Sequence, residues 1–289
     1  MRKQLQDYLE IRVQQYVSET REVMNPCEKA KLKREACLKR NAEIVKVKGK
    51  GEILSSSKKE EFSTVHYRVH LQYLTKQKDL LYLEEEIEYR EAKFYKGVLV
   101  EDAEVPSPKG METVGQLDFS NESERSSYQY NRLKAVQYAE RWWNDYNPAY
   151  KKFENDCTSF ISQCLLTGGA PMRGYPGRGN GWWIRGGNYS YSWAVANSLR
   201  QYLATSKSGL RAREVASPDQ LLLGDVICYD FQGDGRFDHN TLVTGKDANG
   251  MPLVNAHTYN SRQRYWNYED STAYTPNIKY KFYTIVGSV

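Results

Sequence analysis

The sequence predicts an α+β protein of two domains. Its 289 residues are many for one hydrophobic core and suit two. Helical periodicity at the start changes to strand alternation after Ala42, and a second series of helices and then strands begins near Tyr130. An aperiodic stretch rich in Pro, Gly, Ser and acidic residues separates the two series. We therefore expect an N-terminal α+β accessory domain over 1–118, a linker over 119–129 and a second domain over 130–289.

The N-terminal segment has the period of amphipathic helices. Apolar side chains fall at Leu5, Leu9 and Val13, on one face of a helix. The triplet "NPC" at 25–27 interrupts the pattern, because proline is disfavoured in a helix interior. We therefore expect one helix before this triplet and a second that ends near Lys39.

From Ala42 onward apolar and polar residues alternate. The segment "TVHYRVHLQYLT" at 64–75 shows the two-residue period, and polar turns separate it from its neighbours. Long alternating segments with short connections predict an antiparallel sheet. The acidic run in "LLYLEEEIEYREAKFY" at 80–95 suits either a strand or a helix. His66 and His70 would lie about 13 Å apart on one strand, so we expect exposed histidines and not a metal pair.

Composition narrows the class of protein. The net charge of +5 is mild and no basic block stands out, so we expect no nucleic-acid partner. Five cysteines without a C-x-x-C pair indicate reduced thiols. The chain has no apolar run of about 18 residues, and its start lacks the apolar region of a signal peptide. These observations predict no transmembrane segment and a cytoplasmic location, with a spore or cell-wall location as the alternative.

The stretch "NDCTSFISQC" at 155–164 contains two cysteines with different expected environments. Asn155 or Asp156 suits the N-cap of a helix, which puts Cys157 in the first helical turn. Backbone N–H groups and the helix dipole favour a thiolate there. Cys164 lies two turns later among apolar residues and is expected to be a buried, unreactive thiol. Cys157 is therefore the candidate nucleophile, if a base lies beside it.

Two histidines of the second domain could supply that base. His239 lies in "FDHNTLVTG" and His257 in "MPLVNAHTYN", two short strands joined by the turn "KDANG". Asn255 and His257 are expected on one face of the second strand, because strand side chains alternate. A cysteine at a helix start, facing a hairpin with a histidine and a further polar residue, has the nucleophile, base and orienting group of a catalytic triad.

Four motifs in this order resemble the papain-like cysteine peptidases of the NlpC/P60 and CHAP superfamily, and within it the putative amidase domain family: "DCTSFISQCL", "LLLGDVICYDF", "DHNTLVTG" and "LVNAHT". The resemblance covers about 130–289. It implies a cysteine-bearing helix packed on an antiparallel sheet, and hydrolysis of an amide bond through an acyl-enzyme. On this resemblance Cys157 maps to the nucleophile and His239 to the base. Asn255 is the preferred orienting residue and His257 the alternative.

Substrate-binding residues are expected on either side of Cys157. Its own backbone N–H is the expected oxyanion donor, helped by the preceding loop with Asp156. Trp182, Trp183 and Trp193 belong to a Gly-rich, aromatic-rich segment without periodicity. They would either form the walls of a substrate cleft or cover the core, and we assign them to the cleft.

The segment "DFQGDGRFD" after the Gly-Asp-Val strand has part of a calcium-loop pattern, but the closing glutamate is missing. We therefore expect no metal and no cofactor. The expected substrate is a peptide or amide, and the resemblance implies peptidoglycan stem peptides. The alternative is a papain-like binding module for a cell-wall peptide or a protein, either catalytically silent or transferring the acyl group.

Overall fold

The computed structural model describes residues 1–17, 27–106 and 128–287. Its contacts divide the chain into two compact units. The first comprises Met1–Pro108 and Asn267–Tyr274, and the second Lys109–Trp266 and Thr275–Val289. Most of the predicted linker at 119–129 and of the helix break at 25–27 lies outside the described residues.

The first unit consists of two helices followed by a four-stranded antiparallel meander. The helices are α1 (Arg2–Gln15) and α2 (Glu28–Lys39), and the strands are β1 (Ala42–Lys59), β2 (Phe62–Gln77), β3 (Leu80–Tyr95) and β4 (Val98–Val105). The strands pair in sequence order. This confirms the two helices and the sheet. The acidic run that suited either state is part of β3.

An acidic residue of β3 forms buried ion pairs with basic residues of both helices. Glu88 is buried and lies 2.8 Å from Nζ of Lys29, 3.1 Å from Arg12 and 3.0 Å from Arg90. Burial alone would raise the pKa of Glu88, but Lys29, Arg12 and Arg90 together lower it below its ordinary value. Because side chains alternate along β3, Glu86 and Glu88 lie on one face of the strand, where they pair with basic residues of the helices.

The strand histidines of β2 lie beside acidic residues of β3. Nε2 of His70 is 2.7 Å from a carboxylate oxygen of Glu85, and Nε2 of His66 is 3.5 Å from Glu91. His66 and Glu91 are cross-strand partners in the sheet. Each histidine thus has a carboxylate neighbour of its own.

The second unit packs its helices on an antiparallel sheet. Its helices are α3 (Arg132–Trp142), α4 (Cys157–Thr167), α5 (Tyr191–Ala194) and α6 (Ala196–Thr205), with a 3-10 turn at Pro218–Gln220. A small hairpin is formed by β5 (Ile184–Arg185) and β6 (Asn188–Tyr189). The sheet strands are β7 (Arg211–Val215), β8 (Val226–Asp230), β9 (His239–Lys246), β10 (Pro252–Ala256), β11 (Ser261–Tyr265) and β12 (Lys279–Val286). Their order is β11-β10-β9-β8-β12-β7. The α+β class with antiparallel sheets is confirmed.

The helix α4 is the centre of the second core. Its residues from Cys157 to Leu165 are all buried, as expected of a helix that is surrounded by protein. Phe160, Cys164 and Leu165 share a hydrophobic cluster with sheet residues that include Leu242. The helix ends at Gly168 and Gly169, the latter with the positive φ that glycine adopts readily. Cys164 is buried, as predicted. None of the helices in the described ranges combines the length and apolar composition needed to cross a bilayer.

Candidate active site

Cys157 is the first residue of α4, and Asp156 occupies the N-cap position. The side chain of Cys157 is 5% exposed. Its backbone N–H donates to Oγ1 of Thr258 at 3.3 Å. The structure therefore agrees with the predicted first-turn position. It disagrees with the use of this N–H as an oxyanion donor, because Thr258 already accepts its hydrogen bond.

Opposing effects act on the Cys157 thiol. Burial raises the pKa of Cys157, and the charge of Asp156 adds to this rise. Hydrogen bonds from the Thr158 hydroxyl, the Asn240 backbone and the Thr258 hydroxyl lower it. Oγ1 of Thr158 lies 3.7 Å from Sγ. The balance leaves the pKa of Cys157 above its ordinary value, so the resting thiol is protonated near neutral pH.

His239 opens β9 and is buried among aromatic rings. The rings of Tyr229 and Phe231 lie 5.7 Å and 6.2 Å from its own, between centroids. Burial, with a smaller contribution from the charge of Arg264, lowers the pKa of His239 to about 3. The imidazole is therefore neutral at neutral pH and has a lone pair with which to accept a proton.

Asn240, the residue after His239, connects β9 with the start of α4. Its backbone N–H donates to the sulfur of Cys157. The neighbouring strand β10 has ended at Ala256. The structure thus brings Cys157 next to the strand start that carries His239.

Asn255 of β10 does not bind His239. Its Oδ1 accepts from Thr244 Oγ1 at 2.7 Å and from the backbone N–H of Gln263 at 2.9 Å, and its Nδ2 donates to Glu140 at 2.9 Å. The preferred assignment of the orienting residue is therefore corrected.

Strand alternation explains the misassignment of Asn255. Asn255 pairs with Leu242, which faces the helices, whereas His239 pairs with Tyr229. Residues 239 and 242 lie on opposite faces of β9, because they are an odd number apart. Asn255 consequently faces the helices while His239 faces the aromatic side of the sheet.

His257, the alternative orienting residue, lies in the turn after β10. Its Nδ1 is 2.9 Å from Oδ2 of Asp156, and its Nε2 is 2.7 Å from the backbone carbonyl oxygen of Trp142. Its ring stacks on Phe160 with 3.9 Å between centroids. Both ring nitrogens of His257 therefore already have hydrogen-bond partners other than His239, which corrects the second assignment. His257 instead connects the end of α3 with the start of α4.

Asp156 was predicted to contact substrate, but it is buried against His257. Burial raises the pKa of Asp156, and the hydrogen bond with His257 opposes this rise. The Trp142 carbonyl can only accept, so Nε2 of His257 carries a proton. Nδ1 and the Asp156 carboxyl then share a further proton between them.

The three tryptophans lie inside the second unit. Trp182 and Trp193 are 0% exposed, belong to the core around α4, and have ring centroids 5.1 Å apart. Trp183 is 2% exposed, and its indole N–H donates to backbone carbonyls of its own loop. This placement disagrees with the predicted cleft walls, because buried rings offer no surface to a substrate. The exposed aromatic rings of the segment are Tyr175 and Tyr191.

The partial calcium-loop pattern forms a tight turn. The carboxylate of Asp230 accepts backbone N–H groups of Gly233, Asp234 and Gly235. These bonds explain the aspartate and the glycines without a bound ion. No group of three or more His, Cys, Asp or Glu side chains suited to a metal occurs in the part of the chain that the structure describes.

Residues 129–283 match the family model described as "Putative amidase domain". The chain belongs to this family. It is 53% identical over 257 residues to "Uncharacterized protein YhbB" of Bacillus subtilis (strain 168), a match that covers 86% of this chain and 83% of that protein. It is 29% identical over 140 residues to "Uncharacterized protein YjcM" of the same bacterium, which covers 45% of this chain and 31% of that protein. No solved structure matches the chain.

Membership of the amidase family confirms the narrower part of the predicted resemblance and indicates an amide as substrate. The wider NlpC/P60 assignment stays a prediction. Sequence reasoning missed Thr158, Asn240 and Thr258, whose hydrogen bonds surround the Cys157 thiol. Thr158 and Asn240 directly follow the two predicted catalytic residues, so they could have been considered. Thr258 is 101 residues from Cys157 in the sequence, and only the tertiary structure brings the two residues together.

Proposed function

We propose that this protein is a cysteine-dependent amide hydrolase in which Cys157 is the nucleophile and His239 the general base. One observation carries the proposal: in a chain of the amidase family, the first residue of α4 is a cysteine whose sulfur accepts the backbone N–H of the residue after His239. Nucleophile and base thus come from the helix start and the adjacent strand start. The packing of α4 on the antiparallel sheet supports the papain-like character of the domain.

The charge states suggest how the reaction begins. Cys157 rests as a thiol and His239 as a neutral imidazole. As Sγ attacks the carbonyl carbon of the amide, the imidazole takes the thiol proton. The thioester forms, the C–N bond breaks, and the imidazolium gives its proton to the departing amine. Water then attacks the thioester, the carboxylic acid leaves, and the thiol is restored.

Peptides of the bacterial cell wall are the substrates we propose, on the resemblance to peptidases of that class. A stem peptide of peptidoglycan offers amide bonds in an extended backbone. This substrate implies action at the cell wall or in a spore. The exposed Tyr175 and Tyr191 are candidate contacts for such a peptide.

The test is digestion of purified peptidoglycan, followed by mass spectrometry of released stem peptides and new amino termini. We expect products with the wild-type protein and none with Cys157→Ala or His239→Ala. Cys164→Ala is the matched control, because it removes a thiol from the same helix far from the first turn. Hydrolysis that persists at the wild-type rate in Cys157→Ala would disprove the cysteine mechanism.

A catalytically silent binding module is the second candidate, and the burial of Cys157 with its raised pKa favours it. Such a module would hold a wall peptide without turnover, or pass an acyl group to an amine. Binding of a stem peptide at equal affinity to wild type and Cys157→Ala, with no product from either, would support the silent module. A new amide with an added amine would instead support acyl transfer.

A further inference from the structure

Asn240 contacts the surroundings of the candidate nucleophile in two ways. Its side chain is fully buried, and its Nδ2 donates to Oγ1 of Thr158 at 3.0 Å. Its backbone N–H donates to the sulfur of Cys157. Its Oδ1 is buried without a hydrogen-bond partner among the described residues, so the bond of Nδ2 to the neighbour of the cysteine is the contact that its side chain makes.

The bond from Asn240 determines which way the Thr158 hydroxyl can point. A hydroxyl has one proton to donate, and its lone pairs accept. Because Oγ1 of Thr158 accepts from Nδ2 of Asn240, its own proton is left for Sγ of Cys157, 3.7 Å away. Thr258 follows the same logic, since it accepts the backbone N–H of Cys157 and donates to the sulfur.

Hydrogen bonds matter for this thiol because burial works against its charged form. A negative sulfur inside protein needs donors to replace water, and bonds to charged acceptors are the stronger ones. Thr158, Thr258 and the Asn240 backbone supply three such donors. The bond from Asn240 to Oγ1 of Thr158 favours the orientation in which this hydroxyl donates to the sulfur.

We infer that Asn240 is a positioning residue: through its bond to Thr158 it aims the threonine hydroxyl at Cys157 and so stabilises the thiolate on which nucleophilic attack depends. The inference rests on the proposed function for its catalytic meaning. Its physical content, a relay from Asn240 through Thr158 to the sulfur, concerns the thiol alone.

The test measures alkylation of Cys157 by iodoacetamide from pH 6 to pH 12, quantified on the peptide that contains this cysteine. Thr158→Val removes the donor without adding charge, and Asn240→Ala removes the group that aims it. We expect either change to move the midpoint of the alkylation profile upward by about one pH unit, which is roughly a tenfold lower rate on the acid side. Thr158→Ser keeps the hydroxyl and should retain the wild-type midpoint.

The double variant distinguishes a relay from two separate effects. If Asn240 acts through Thr158, adding Asn240→Ala to Thr158→Val should change the midpoint no further. A merely structural role would lower the melting temperature and leave the midpoint of each single variant unchanged, which would overturn the inference. So would a Thr158→Val protein with the wild-type midpoint, or a Cys157 that is not alkylated at any pH.

Alkylation is measured without substrate, so the two proposals can fail separately. A shifted midpoint in a protein that cleaves no amide would support the relay and contradict the proposed hydrolase activity. Hydrolysis that is lost in Cys157→Ala, together with an unshifted midpoint in Thr158→Val, would support the hydrolase activity and contradict the relay.

Discussion

The His257 ring and the Asp156 carboxyl face each other at 2.9 Å, and both side chains are buried. The other ring nitrogen of His257 meets the Trp142 carbonyl at 2.7 Å. Since Asp156 precedes Cys157 and Trp142 ends α3, this pair fixes the end of one helix to the start of the next. The position of Cys157 therefore depends on a buried pair that shares a proton.

Removing one partner of this pair should destabilise the second unit. Asp156→Ala leaves Nδ1 of His257 buried without a partner, which we expect to cost about 1–3 kcal/mol. Asp156→Asn should cost less, because its amide can still form a hydrogen bond to Nδ1. Urea unfolding followed by tryptophan fluorescence measures both changes. Asp219→Asn, at an exposed aspartate of the same unit, is the control and should change little. Equal losses for Asp156→Ala and Asp156→Asn would contradict the pair.

The same pair predicts a pH dependence of stability. Burial raises the pKa of Asp156, so the folded chain holds that proton more tightly than the unfolded chain, whose aspartate titrates near about 3.9. The resulting stabilisation is complete below the unfolded pKa and is lost as the pH rises through the folded pKa. The stability of wild type relative to Asp156→Asn should therefore fall as the pH rises above the unfolded pKa. A difference in unfolding free energy that does not change as the pH rises would exclude the raised pKa.

Cys157 should react as a neutral thiol in the resting protein. The pKa of the thiol is raised by burial, and that of His239 is lowered to about 3, so no thiolate–imidazolium pair forms between pH 5 and pH 7. In this range the rate of alkylation should rise about tenfold for each pH unit, in proportion to the thiolate fraction. Alkylation that is quenched after fixed times and quantified by mass spectrometry measures how the rate depends on pH. A plateau at low pH, typical of an ion pair, would show that His239 is charged beside the sulfur.

Trp193 should contribute to stability and not to substrate affinity. It is fully buried in the core around α4, so Trp193→Ala is expected to cost about 3–5 kcal/mol. Tyr191 lies two residues earlier with its ring exposed, so Tyr191→Ala should leave the free energy of unfolding nearly unchanged. Chemical denaturation and titration of a stem peptide measure the two properties. A Trp193→Ala protein of normal stability with weakened peptide binding would restore the cleft assignment.

The sequence was most informative where periodicity was strong. The helix that begins at Cys157 and the hairpin that carries His239 were predicted from local pattern, because capping and alternation act within a few residues. The partners of Asn255 and His257 were not predictable in this way. A shift of one residue in the strand register would move Asn255 to the other face of the sheet, and the local pattern does not fix that register. His257 lies just beyond the end of its strand. Burial of the tryptophans likewise depends on a loop that has no period.

In the first unit, Glu88 should make the free energy of unfolding fall as the pH is lowered. Removing its charge takes from Arg12 the carboxylate with which it pairs, whereas Lys29 keeps Glu86 and Arg90 keeps Asp102. A buried guanidinium without its carboxylate is costly, so Glu88→Gln is expected to cost about 3–5 kcal/mol. The pKa of Glu88 is lowered in the fold, so its stabilisation is present above the unfolded pKa and is lost as the pH falls. The cost of Glu88→Gln should therefore shrink toward low pH. The exposed pair of Glu61 and Lys96 provides the control, since Glu61→Gln should change stability by less than about 1 kcal/mol.

Asn255 offers the sharpest test of the corrected site, because it separates an orienting role from a structural one. An aspartate at this position would bring its carboxylate to the place where Nδ2 now lies 2.9 Å from Glu140. Two carboxylates at that distance repel, so Asn255→Asp should destabilise the second unit at pH 7 and less at pH 4.5, where one is protonated. Glu140→Gln in the same protein should relieve the repulsion. If Asn255 instead orients His239, Asn255→Asp would alter turnover while Glu140→Gln restored neither turnover nor stability.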